Sequence, residues 1–204
     1  MIINKLKKYI FIKDLNEEIK KNIKKLSNVE IIINNIDFNE ISLRHFFGIQ
    51  SFCKKNKIPF YIINNYKIAL KYKAQGIFIS SNNKKMILKP FLNQKFKIIG
   101  SAHNQLEYFF KKRQQCKMIT LSPIFFNAKY SKNKILNPIK FNLISKNWNT
   151  TLCALGGILD KNIKKINLTK VSSIAFQRLI FGAKKTHLVW PRWVFNNFYS
   201  TKLN

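Results

Sequence analysis

Eight short runs of β-branched and aromatic residues punctuate the chain, and their spacing is its tightest constraint. They fall at residues 9–12, 29–33, 60–63, 76–79, 96–99, 118–121, 151–155 and 173–176. Each has the length of a strand and is too short for a buried helix. Helix-like segments separate most of them, at residues 16–26, 39–55, 66–72, 104–115, 138–145 and 161–168. The second of these places Ile41, Phe46, Ile49 and Phe52 at helical spacing. Eight strands alternating with helices within 204 residues predict an α/β fold, a (β/α)8 barrel of parallel strands. An open doubly wound sheet needs fewer strands and leaves the remainder unexplained. The barrel is expected to occupy residues 1–185. A basic, aromatic tail follows at 186–204, with Trp190, Trp193, Phe195, Phe198 and Tyr199. The tail is expected to pack across the barrel's base or to form a homodimer contact, the alternative being a membrane-surface or stacking role.

In such a barrel the chemistry sits on the loops at the strands' C-terminal ends. The clearest of these ends is Thr151-Leu-Cys-Ala-Leu-Gly-Gly-Ile158. Its strand is apolar throughout, as a parallel strand buried on both faces should be. Gly156 and Gly157 then remove two side chains where the chain leaves the sheet. Bare N–H groups there suit a phosphate, while the plainer reading is a tight turn. His103 is the one histidine directly after a predicted strand. It is read as a general acid/base near neutral pH, or as a helix-start residue whose ring caps or packs.

Composition limits the alternatives. A net charge of +30 invites nucleic-acid binding, but the lysines are spread over nearly every segment and form no stripe. No specific nucleic-acid partner is therefore expected. The eight acidic residues make no pair across the predicted strand ends that would hold Mg²⁺, and no Cys/His spacing suits zinc. No apolar run has the length of a membrane span, and the lysine-rich start lacks a signal-peptide core. Three scattered cysteines in apolar contexts predict buried free thiols in a reducing, cytoplasmic setting.

Three strand ends, taken in order, resemble a known succession. They are Gly100-Ser-Ala-His103 before a helix, Leu121-Ser-Pro-Ile-Phe125, and Ala154-Leu-Gly-Gly-Ile158. Pro59-Phe-Tyr-Ile-Ile-Asn64 and Gly76-Ile-Phe-Ile79 fit the same pattern. It is that of the thiamine-phosphate synthase and thiazole tautomerase (TenI) family, itself a (β/α)8 barrel. The resemblance implies a transferase of thiamine biosynthesis. Such enzymes join an aminopyrimidine diphosphate to a thiazole phosphate, with Mg²⁺ held on two aspartates. The neutral Asn64 and Asn83 stand at those two positions. Basic residues that grip the diphosphate would lie near residues 33–35, which contain neither Arg nor Lys.

The phosphate-monoester half of the pattern is kept. The resemblance assigns Ser101, Gly156, Gly157, Gln177 and Arg178 to a phosphorylated ligand and His103 to proton transfer. The expectation is a divergent family member that takes a phosphorylated thiazole-type heterocycle without a metal cofactor. Tautomerase or residual transferase activity would follow. The rivals are a barrel that binds a ligand without catalysis and a basic nucleic-acid-associated protein.

Overall fold

The computed structural model describes residues 5–34, 40–86, 96–126 and 131–176. Eight parallel strands close on themselves in chain order. They are β1 (Lys7–Ile12), β2 (Val29–Ile33), β3 (Phe60–Ile63), β4 (Gly76–Ile79), β5 (Lys97–Ala102), β6 (Met118–Leu121), β7 (Thr151–Leu155) and β8 (Ser173–Phe176). Closure is made by β1 against β8, with Lys7 opposite Ser173 and Ile10 opposite Phe176. The helices are α1 (Glu17–Lys24), α2 (Glu40–Lys55), α3 (Tyr66–Lys71), α4 (Gln105–Arg113), α5 (Asn137–Ser145) and α6 (Asp160–Ile163). The predicted barrel is thus the observed one. The expected boundary at residue 185 and the aromatic tail lie outside the described residues, as do Gln177 and Arg178.

Asparagine starts three of the helices. The Asn16 side chain accepts from the Ile19 amide at 2.8 Å, Asn65 from Ile68 at 3.1 Å and Asn104 from Glu107 at 2.9 Å. Each satisfies one of the amide groups that a helix's first turn leaves without a partner. Two elements differ from expectation. β5 runs three residues further than the apolar pattern, because Gly100, Ser101 and Ala102 keep pairing with Ile119, Thr120 and Leu121 of β6. The helix expected at 161–168 is one α-turn followed by 3₁₀ backbone over Lys164–Leu168.

Alternate strand residues divide the core in two. Ile10, Ile12, Ile31, Ile33, Ile62, Ile77, Ile79, Ile119, Leu121 and Ile174 face the helices. There they meet Ile19 and Ile23 of α1 and Phe46, Ile49 and Phe52 of α2. Tyr9, Phe11, Ile32, Tyr61, Phe78, Ile99, Cys153, Leu155 and Ala175 fill the barrel. Both faces of each strand are buried, so the runs read as continuously apolar. Each buried Ile contributes about 1.5–3 kcal/mol by leaving water.

Glu30 is the exception inside β2. It is 5% exposed, and its carboxylate accepts from Lys7 Nζ at 2.7 Å and from the Tyr61 hydroxyl at 2.7 Å. Tyr9 packs edge-on against Tyr61 with ring centroids 5.9 Å apart. Burial, and then the Glu30 charge, push both phenols well above their ordinary range, so both hydroxyls stay protonated and donate. This network joins the first three strands toward the barrel's N-terminal end, away from the rim that carries the candidate site.

Candidate functional site

Two groups of polar residues occupy the C-terminal rim. The first joins the ends of β3 and β4. Asn64 takes the left-handed conformation, with φ +56°, directly after β3. Its Oδ1 accepts from the Ser80 amide at 2.9 Å and from Asn83 Nδ2 at 3.0 Å, while the Ser80 hydroxyl donates its one proton to the nearer Asn82 Oδ1 at 2.8 Å. Its Nδ2 donates to Ser80 Oγ at 2.8 Å. Asn83 Oδ1 in turn accepts from the Lys85 amide at 3.0 Å. The two asparagines at the expected metal positions are therefore in direct contact, but as neutral amides bonded to each other. An amide oxygen has two lone pairs, and that of Asn64 already serves two N–H donors, so both are taken. Among the described residues, no three His, Cys, Asp or Glu side chains gather where they could hold a metal ion.

The second group joins the ends of β5, β6 and β7. The His103 amide donates to Glu107 Oε2 at 2.7 Å, completing a reciprocal cap with Asn104 at the start of α4. The ring does something else. Its Nδ1 lies 2.7 Å from the Ser122 carbonyl oxygen and 3.2 Å from Ser122 Oγ. A carbonyl only accepts, so Nδ1 carries the proton, and in the neutral ring Nε2 holds the basic lone pair. Fixing one nitrogen on a backbone carbonyl is how a protein sets the tautomer and orientation of a proton-transferring histidine. Ser101 sits one layer below on β5, paired with Thr120 and buried. Its hydroxyl has no hydrogen-bond partner among the described residues.

Gly156 and Gly157 follow β7 at φ +98° and +67°. A Cβ on Gly156 would stand 2.9 Å from Pro123 Cβ, and one on Gly157 would stand 2.5 Å from the Phe125 carbonyl oxygen, with that of Phe126 also in conflict. The glycines thus have a packing reason that is independent of any ligand: the loop after β6 lies directly on them. Its Ile124 amide donates to Leu155 O and its Phe125 amide to Gly156 O, each at 3.0 Å. Asn162 Nδ2 holds the Gly157 carbonyl at 2.8 Å. Among the described residues the amides of Gly156 and Gly157 donate to no protein acceptor.

One short segment, residues 122–126, therefore touches His103 at its start and the glycine pair at its end. The four residue steps from 122 to 126 span at most about 14 Å, so the histidine and the glycine pair flank one short loop. Sequence reasoning placed these strand ends on one rim, but missed the Ser122 carbonyl as the partner of His103. It also missed Lys111 and Gln114, which hold the Asn83 carbonyl from behind at 2.7 and 2.9 Å. No motif marks either residue.

Fold and rim define a (β/α)8-barrel protein whose described C-terminal face carries the Asn64–Asn83 pair, His103 and the Gly156–Gly157 turn. The chain belongs to the thiamine monophosphate synthase (TMP-TENI) family, whose pattern matches residues 39–180. Thiamine-phosphate synthase from Helicobacter pylori is 32% identical over 141 residues, which cover 66% of this chain and 63% of that protein. The enzyme of Clostridium acetobutylicum is 25% identical over 181 residues, covering 88% and 84%. That of Prochlorococcus marinus (MED4) is 28% identical over 134 residues, and the matched part is only 38% of its length. Among solved structures, thiamine phosphate pyrophosphorylase from Pyrococcus furiosus superposes with a TM-score of 0.68 at 16% identity. The superposition covers 97% of this chain and 98% of that one. At that identity the likeness speaks for the fold alone. The YdjI aldolase of Escherichia coli shares the fold at a TM-score of 0.61 and 13% identity, covering 85% of this chain and 76% of its own. Among the described residues, no helix is long and apolar enough to cross a membrane.

Proposed function

We propose that this chain binds the phosphate monoester of a thiazole-type heterocycle at the C-terminal rim and moves a proton on it with His103. The phosphate lies on the amides of Gly156 and Gly157, and Gln177 and Arg178 at the end of β8 complete its binding. Ser101 offers a buried hydroxyl to the ring. His103 Nε2 takes a proton from one ring position and returns it at another, so nothing leaves the ligand and no co-reactant is needed. This is tautomerase chemistry. The observation that supports it is the segment 122–126, which ties the oriented histidine to the glycine pair.

Joining of a diphosphate to that heterocycle is the lesser reading, because a divalent cation does not suit the Asn64–Asn83 pair. Two neutral amides give Mg²⁺ no charge to offset its dehydration, and the Asn64 oxygen would have to give up the N–H donors that occupy it. A barrel that binds the ligand without catalysis is the second reading, favoured by the packing role of both glycines.

A thermal-shift screen against the thiazole phosphate and the aminopyrimidine diphosphate, each with and without Mg²⁺, tests the proposal. The thiazole phosphate should raise the melting temperature equally in both conditions. Stabilisation by the diphosphate alone, and only with Mg²⁺, would reverse the assignment. His103→Ala should leave thiazole phosphate binding nearly unchanged and lower tautomerisation by roughly 10²–10⁴-fold, the range for losing a general acid/base. Equal binding and no turnover in the unmutated protein would favour the non-catalytic barrel.

A further inference from the structure

Lys111 is, with Lys8, one of two buried lysines among the described residues. It sits on α4 with 0% of its surface exposed, and its Cγ and Cδ lie 3.0 Å from where a Cβ on Gly100 would be. The bare glycine in β5 is what lets the lysine stem pass between strand and helix. Burial lowers the ammonium's proton affinity, so an apolar side chain of this length would be the cheaper occupant for packing alone. What the ammonium provides is direction. Nζ donates to the Asn83 carbonyl at 2.7 Å and to Gln114 Oε1 at 3.0 Å. Gln114, 3% exposed, has its Nε2 on the Asn83 carbonyl at 2.9 Å and the Lys85 carbonyl at 2.8 Å.

Two donors from one helix thus converge on a single carbonyl of the loop after β4. That carbonyl belongs to the residue whose side chain reaches Asn64 at the rim. The loop gains further ties through Asn83 N to Ser80 O at 3.1 Å and Lys85 N to Asn83 Oδ1 at 3.0 Å. The chain of bonds runs from buried helix to loop backbone to rim amide.

We infer that Lys111 and Gln114 are positioning residues: they clamp the Asn83 backbone so that its amide and that of Asn64 hold the β3–β4 quarter of the rim in its ligand-binding shape. Behind the two neutral amides of the rim, this internal ammonium draws the loop after β4 toward the helix. The inference rests on the reading that this rim takes the thiazole phosphate, and one arm of its test is independent of that reading.

Hydrogen exchange followed by mass spectrometry on the full chain is that arm. Lys111→Met keeps the stem and removes the donor, and Gln114→Leu removes the second donor without emptying the stem's channel. Each should speed exchange of the amides at residues 81–86 by about tenfold or more, while residues 151–157 exchange as before. Unchanged exchange at 81–86 in both variants would overturn the clamp. The second arm is calorimetric titration with the thiazole phosphate in a double-mutant cycle. Lys111→Met and Asn64→Ala should each weaken binding by about tenfold, and together no more than either alone, because both act through the same amide pair. Additive losses would make Lys111 a structural tie only and overturn the positioning role. If the unmutated protein does not bind the thiazole phosphate, the ligand reading fails, and the exchange arm still decides whether the clamp exists.

Discussion

Gly157→Ala should be the most damaging single-methyl change on the rim, and its size can be worked from the structure. At φ +67° an alanine gives up about 1–2 kcal/mol relative to glycine. Its Cβ would also stand 2.5 Å from the Phe125 carbonyl oxygen, where an ordinary contact is at least 3.4 Å. The neighbour is backbone and cannot rotate away, so the loop after β6 must lift by about 1 Å. Lifting it breaks the Phe125 N–Gly156 O and Ile124 N–Leu155 O bonds, each worth about 1 kcal/mol. The total is about 3–4 kcal/mol, which for a chain of this length lowers the melting temperature by roughly 6–16 °C. Gly48→Ala is the matched control. That glycine is inside α2 with nothing within 4 Å of a new Cβ, so alanine there should stabilise by about 0.5–1 kcal/mol. Calorimetry of both variants without ligand decides the matter. A Gly157→Ala protein melting within about 2 °C of the unmutated one would refute the carbonyl roof over β7. If the roof holds, thiazole phosphate titration well below both melting points should still show weakened binding, because the same lift moves the glycine amides.

Three other outcomes follow from the geometry. Tyr61→Phe removes a 2.7 Å hydrogen bond to the buried Glu30 carboxylate and should cost about 1.5–3 kcal/mol in denaturant titrations; neutrality would mean that water or Tyr9 takes over the donor role. Asn64→Asp combined with Asn83→Asp should create a Mn²⁺ site visible by electron paramagnetic resonance, whereas tight specific binding by the unmutated protein would overturn the metal-free reading. Burial pushes the thiols of Cys53, Cys116 and Cys153 up to about 12, above the unfolded value of 9.0. Folding therefore favours the protonated form; the stability this gives is complete below pH 9 and is lost as pH rises toward 12. Melting temperatures scanned from pH 7 to 10.5 should decline above pH 9, and replacing the three cysteines by alanine or serine should flatten that decline.

The +30 charge illustrates how a sequence-wide quantity differs from a site. It spreads over many surface lysines, yet Lys111, which holds the loop after β4, is wholly buried and indistinguishable by composition from its neighbours Lys112 and Lys117. Glu30 was easier to suspect. A carboxylate within Val29-Glu-Ile-Ile-Ile33 breaks an otherwise apolar strand, and such a residue needs a partner to be buried.

What the sequence determined by itself is the architecture. Strand and helix alternation is local, since each run's length and each asparagine cap at residues 16, 65 and 104 acts within a few positions. Eight such units leave closure into a barrel as the arrangement that buries both faces of every strand. The same logic puts Asn64, Asn83, His103, Gly156 and Gly157 on one rim. Only the tertiary structure decided what those residues touch. That the Asn64 oxygen is already occupied, that the His103 ring leans on Ser122 while its amide joins the cap of α4, and that Gly157 is roofed by Phe125 and Phe126 depend on contacts between segments 19 to 32 positions apart. Their geometry depends on strand register and loop path, which are fixed by packing summed over the whole barrel and leave no mark on any short stretch of sequence.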